Sequence, residues 1–138
     1  MMDVPKGAKG RSVLVVGPEH LANQMKDPML PPVLATPVMI LAMENAALNA
    51  VRRYLDAGET ALGTRVDVRH RSATVSGQCV TATAEVTDVD GRRLIFEVSA
   101  HNGIEEIGRG VHERVVIDPF RFEQRLAAKK VPPPGCER

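Results

Sequence analysis

The chain has 138 residues, 43% of them hydrophobic and 25% charged, with a formal net charge of +1. That length suits one domain with a real core, while near-neutral charge, 3% aromatics and no Trp give no basis for binding nucleic acid or an anionic membrane. No apolar run is long enough to span a bilayer, and Met1-Met2-Asp3-Val4-Pro5-Lys6 lacks the apolar stretch of a signal peptide. Cys79 and Cys136 have no metal-ligand spacing, so free thiols in a reducing cytoplasm are expected.

In chain order, residues 1–11 read as a flexible leader. The β-branched run at 12–16, ending at Gly17-Pro18, predicts a first strand. Residues 19–32 show little periodicity and hold Pro28, Pro31 and Pro32, and a loop of that length reads as a lid. A helix follows over about 35–57. Thr36-Pro37 signals its start, with Thr as cap and Pro in the first turn. From Val38 onward it is apolar nearly all round, which marks a buried helix, and Arg52, Arg53, Asp56 and Gly58 return it to solvent. One carboxylate, Glu44, interrupts the apolar run. At about 100° per residue, Thr36 and Glu44 lie about 80° apart and border neighbouring faces.

After Gly58 the period becomes two. Thr64, Val66, Val68 and His70 share the predicted inward face, opposite Arg65, Asp67, Arg69 and Arg71. Val80, Ala82, Ala84 and Val86 alternate next, then Leu94, Phe96, Val98 and Ala100, with hairpin signals at Asp90-Gly91 and Asn102-Gly103. A last strand spans about 105–117. Asp118-Pro119 opens a short amphipathic helix, and the proline-rich end, 129–138, reads as disordered.

The sheet has one apolar face, and only the 35–57 helix is apolar enough to cover it. The expected class is α+β, a hot-dog fold in which a curved antiparallel sheet wraps a central buried helix, as one domain over 12–128. The helix is apolar on more faces than one sheet covers, which calls for a second subunit: a homodimer, or a tetramer.

Three polar groups are expected to meet in this apolar setting. Glu44 rises from the helix, His70 descends from the sheet, and Thr36 marks the helix N-terminus, where amides and dipole favour negative charge. That set could hydrolyse an activated carbonyl. Plain structural readings stand beside it: Thr36 as a cap, His70 as a core residue, and Glu44 paired with His70 or Arg114. Gly63 and Gly108-Arg-Gly110 admit close approach of a ligand or mark bulges. Arg65, Arg69, Arg71 and Arg114 could meet the phosphates of a nucleotide carrier or form a solvated face. His101 and His112 are expected at the surface, and His20 has no evident partner. No metal constellation or cofactor motif stands out.

At these residues the sequence resembles the fluoroacetyl-CoA thioesterase family of hot-dog proteins. The matching stretches are Val33-Leu-Ala-Thr36 to Met43-Glu44, and Ala61-Leu-Gly63-Thr64 to Val68-Arg-His70. Gly91-Arg-Arg-Leu94, Val98-Ser-Ala-His101 and Glu106-Ile-Gly108 through His112-Glu-Arg114 match as well. The resemblance implies that Thr36, Glu44 and His70 are the catalytic set, that Gly63 lies beside the acyl group, and that the substrate is a small acyl-CoA thioester. Leu30 stands six positions before Thr36, where the fluoroacetyl-specific enzyme looks to have an aromatic lid residue. Thioester hydrolysis is therefore implied without fluorine selectivity. The alternatives are a non-catalytic acyl-CoA-binding protein and a hydratase of the same fold, the latter lacking its Asp/His pair here.

Overall fold

Five strands and three helices follow one another as β1 (Lys9–Val15), α1 (Ala22–Met25), α2 (Thr36–Val51), β2 (Thr60–His70), β3 (Cys79–Asp90), β4 (Arg93–His101), β5 (Glu106–Ile117) and α3 (Pro119–Ala128). The computed structural model describes residues 1–130 and Gly135. The strands form one antiparallel sheet in the order β1-β3-β4-β5-β2, so β1 and β2 are its edges.

Helix α2 lies across the sheet because the two periodicities meet there. Val38, Met39, Ala42, Met43, Ala46, Ala47, Ala50 and Val51 are buried on the helix. Opposite them are Val80, Ala82, Ala84 and Val86 of β3, and Leu94, Phe96, Val98 and Ala100 of β4, all buried. The alanines let β1 come close. A Cβ on Gly10 would lie 2.3 Å from both the Ala46 carbonyl oxygen and the Ala50 nitrogen, so the strand crosses the helix backbone to backbone.

The two turns predicted from sequence close hairpins here. β3 ends at Asp90 and β4 begins at Arg93. Between β4 and β5 the Asn102 side-chain oxygen accepts from the Ile104 and Glu105 N–H groups, each at 3.0 Å.

Several boundaries differ from the sequence reading. Residues 1–11 are not a loose leader: Val4 and Ala8 are buried, the Gly7 N–H donates to the Val86 carbonyl at 2.8 Å, and β1 starts at Lys9 rather than Ser12. α2 ends at Val51, and Arg52–Tyr54 tighten into a 3₁₀ turn as the apolar residues run out. The 19–32 segment is folded back rather than free. Leu21 bridges Leu34 and the Ala35 N–H donates to the His20 carbonyl, while residues 24–29, 31 and 32 stand out, with Met29 90% exposed. The proline-rich 129–138 segment falls mostly outside the described residues.

The sheet does not cover all of α2. Thr36, Ile40, Glu44 and Leu48 are only half-buried, and Leu41 beside them is 55% exposed. On the helix side of the neighbouring edge strand, Val66 is 41% exposed. An apolar stripe on a long buried helix is thus left open to solvent, and it carries two polar residues.

Replacing Gly10 with Val should drive a side chain into the α2 backbone and lower unfolding free energy by about 1–3 kcal/mol. Urea unfolding measures this, and an unchanged midpoint would contradict the close crossing.

Candidate active site

Thr36 was expected to cap α2, and it does not. Ala35 takes the cap position in extended backbone, no side chain caps the helix, and Thr36 is already its first residue. The hydroxyl is thereby free, and it lies 2.8 Å from Nδ1 of His70, at the end of β2. Nearby amides are largely occupied. The Val38 and Met39 N–H groups both turn to the Ala35 carbonyl and Pro37 has none, which leaves the Thr36 N–H as the first-turn donor among the described residues.

His70 is half-buried, and its Nε2 is buried with no hydrogen-bond partner among the described residues. Burial pushes the imidazole pKa below its usual value, only partly opposed by the backbone at Ser72. With its proton on Nε2, the ring would accept from Thr36 through Nδ1, the arrangement in which histidine can take a hydroxyl proton.

Glu44 stands about 12 Å further along α2, from the helical rise over eight residues. It does not meet Thr36 or His70 in the same chain. Its Oε2 is 4.0 Å from Nη1 of Arg114 and only 2.8 Å from where a Cβ of Gly63 would lie. Gly63 precedes His70 by seven residues, so a regular strand would set the two on opposite faces. A β-bulge at Thr64, where Gly63 pairs with Arg114 and Arg65 with Glu113, shifts the phase and turns both residues toward the helix.

Behind Glu44 lies a polar group the sequence reading misplaced. His112, expected at the surface, is 1% exposed and stacks on Phe96 with ring centroids 5.9 Å apart. Its Nδ1 lies 2.8 Å from the Arg65 carbonyl and its Nε2 lies 3.1 Å from Nη1 of Arg114. A guanidinium can only donate, so Nε2 accepts and the proton sits on Nδ1. Burial lowers this imidazole's pKa too, against the pull of the Arg65 carbonyl. Arg114 itself is buried, and donates through Nε and Nη2 to the Ala61 carbonyl at 3.1 and 2.6 Å. The surface expectation for His112 fails because it shares a buried face of β5 with Arg114 and Val116. Glycine parity was the better signal: a Cβ on Gly108 would lie 2.5 Å from the Met39 sulfur, and steps of two from there reach His112, Arg114 and Val116.

The remaining candidates are dispersed. Leu30 is half-buried near the loop tip and packs against the core. Arg65 pairs with Glu113 at 2.8 Å, while Arg69, Arg71 and His101 are exposed. His20 accepts from the Gly17 N–H at 3.0 Å. Among the described residues no group of three His, Cys, Asp or Glu side chains could hold a metal ion. A groove of about 490 Å³ lies elsewhere, lined by Lys9, Arg11, Thr83, Glu85, Glu97 and Arg109, whereas both polar clusters open along the bare stripe of α2.

The model of the fluoroacetyl-CoA-specific thioesterase family matches residues 16–119. A fluoroacetyl-CoA thioesterase of Streptantibioticus cattleyicolor is 48% identical over 99 residues, 72% of this chain and 71% of that one. A solved fluoroacetyl-CoA thioesterase superposes with a TM-score of 0.87 at 38% identity, covering 94% of this chain and 99% of that one. A thioesterase-superfamily protein of Thermus thermophilus gives 0.86 at 27% identity, covering 93% and 94%.

Because the folded state depresses both His70 and His112, their contribution to stability should be fully present above about pH 6.5 and lost as pH falls through the lowered values. Urea unfolding between pH 7.5 and 5 should show this fall, with a shallower slope in His70→Gln. An identical slope in that variant would contradict the assignment.

Proposed function

The chain belongs to the fluoroacetyl-CoA-specific thioesterase family and is an acyl-CoA thioesterase, and on that premise we propose that it works on short acyl groups as a homodimer. Each site then combines Thr36 and His70 of one protomer with Glu44 of the partner subunit. The observation that carries this reading is the bare stripe of α2, with a Thr36–His70 pair at one end and Glu44 two turns away.

The pairing follows from symmetry. In a two-fold interface, residue i meets j where j meets i. An axis passing the stripe beside Ile40, midway between 36 and 44, sets Thr36 of each chain against the other chain's Glu44. Leu41 and Val66 would be covered in the same step, and fully burying such side chains contributes about 1.5–3 kcal/mol each. A tetramer would need a further contact face.

In this arrangement the thioester carbonyl sits at the start of α2, its oxygen facing the Thr36 N–H and the positive end of the helix dipole. Glu44 either takes a proton from the water that attacks the carbonyl carbon, or attacks that carbon itself and forms an acyl–Glu44 anhydride that water then cleaves to free the acid. The carbon–sulfur bond then breaks, the departing CoA thiolate takes the Thr36 hydroxyl proton, and the proton released by the water restores the Thr36–His70 pair. Water and the thioester suffice as reactants, so the proposal calls for no cofactor. Catalytic relatives favour this reading over a non-catalytic acyl-CoA-binding protein. No helix among the described residues is long and apolar enough to cross a membrane, and we place the protein in the cytoplasm on the free thiol of Cys79.

We further propose that hydrolysis here is not selective for the fluoroacetyl group, because Leu30 offers no aromatic ring at the loop tip. Free-thiol release from a panel of acyl-CoAs should be rapid in the wild type and fall by about a hundredfold or more in Glu44→Gln. The fluoroacetyl-to-acetyl ratio should be near one and rise in Leu30→Phe. Release from no thioester would overturn the enzyme reading. Leu41→Asp should sediment as an inactive monomer, and an active monomer would overturn the shared site.

A further inference from the structure

We propose that His112 is a positioning residue for the reaction: as the neutral Nδ1–H tautomer it accepts from Arg114 and so fixes the guanidinium that backs Glu44. This deepens the thioesterase reading and rests on it.

The argument is one of satisfied donors. Arg114 brings five N–H donors into a nearly dry setting, and each donor left without an acceptor there carries a desolvation cost. The Ala61 carbonyl takes Nε and Nη2. The remaining nitrogen, Nη1, has His112 Nε2 at 3.1 Å and the Glu44 backbone carbonyl at 3.4 Å, and it is also the nitrogen nearest the Glu44 carboxylate, at 4.0 Å. Taking away the imidazole acceptor leaves Nη1 held by its weakest contact. The guanidinium can then pivot about Ala61, and the charge facing Glu44 moves.

His112 is itself held on three sides: by the Arg65 carbonyl at Nδ1, by the Phe96 ring beneath it and by Arg114 at Nε2. These contacts select one tautomer. Protonation would convert the acceptor into a donor and set two cations 3.1 Å apart. The charged groups that bear on the ring are Arg114 and Glu113 from β5 and Glu44 from α2, while β2 presents the Arg65 backbone. Burial is the main force that keeps the ring neutral, and among the charges Arg114 outweighs Glu44 and Glu113, the latter drawn away toward Arg65 and Arg93 at 2.8 and 3.2 Å.

Two substitutions separate positioning from packing, since both lose the Phe96 stack. Glutamine can place an oxygen acceptor near the Nε2 position, whereas asparagine reaches only the Nδ1 position and leaves Arg114 unanswered. His112→Gln should keep kcat within about threefold of wild type, while His112→Asn should lose about tenfold to a hundredfold in kcat with KM nearly unchanged, the cost of a slightly misplaced catalytic group. Equal losses in the two variants would overturn the proposal and leave a core histidine. Nitrogen-15 spectra of the wild-type imidazole at pH 7 should show the Nδ1–H tautomer, and an Nε2–H tautomer would overturn it whatever the variants do. If the wild type releases thiol from no acyl-CoA, the thioesterase reading fails separately. The tautomer, and the Arg114 guanidinium signals in wild type and His112→Asn, still decide the positioning geometry.

Discussion

The structure depends on a mismatch between one helix and one sheet. α2 is apolar around most of its circumference, and a five-stranded sheet curling over it buries only part of that surface. What remains is a stripe of Ile40, Leu41 and Leu48 too apolar to be stable in water and too narrow to fold on itself. Thr36 and Glu44 occupy that stripe two turns apart. In the proposed dimer, that same surplus of apolar surface would decide where the polar groups of each copy meet. Packing and chemistry are set by one constraint.

A second consequence concerns how polar groups survive there. Thr36 gives up the cap position to Ala35 and keeps its hydroxyl for His70. Glu44 rests against Gly63 because any side chain at that position would occupy the carboxylate's space. Arg114 and His112 lie behind it, each the other's hydrogen-bond partner. Polar groups removed from water need partners, and here each partner constrains the next. On its buried side the cluster around Glu44 is hydrogen-bonded through Arg114 and His112, and Glu44 itself is half-buried.

Much of this could be read from residue patterns. The change from helical to twofold periodicity after Gly58 locates the boundary between α2 and the sheet, and the alternation of β3 and β4 names their buried faces correctly. The placement of His70 toward the helix also follows from alternation. Other features depend on contacts that no local pattern carries. A single extra residue at Thr64 reverses the phase of β2, so Gly63 appears on the wrong side until the register is known. In β5 Val111 and Val115 lie on the half-buried face, and the buried one is given instead by glycines that make room for Met39 and for β2. Val4 and Ala8 are too sparse to announce that the first residues pack. The freeing of Thr36 from capping is a shift of one residue, which propensity does not resolve.

The shared site is tested most directly by complementation. His70→Asn and Glu44→Gln should each abolish thiol release as homodimers. Unfolded together and refolded in equal amounts, half of the dimers should be mixed, and each mixed dimer has one site with both residues intact. Activity should then recover to about a quarter of wild type. If the mixture stays as inactive as its parents although mixed dimers form, Thr36, His70 and Glu44 act within one chain and the account of the stripe is wrong.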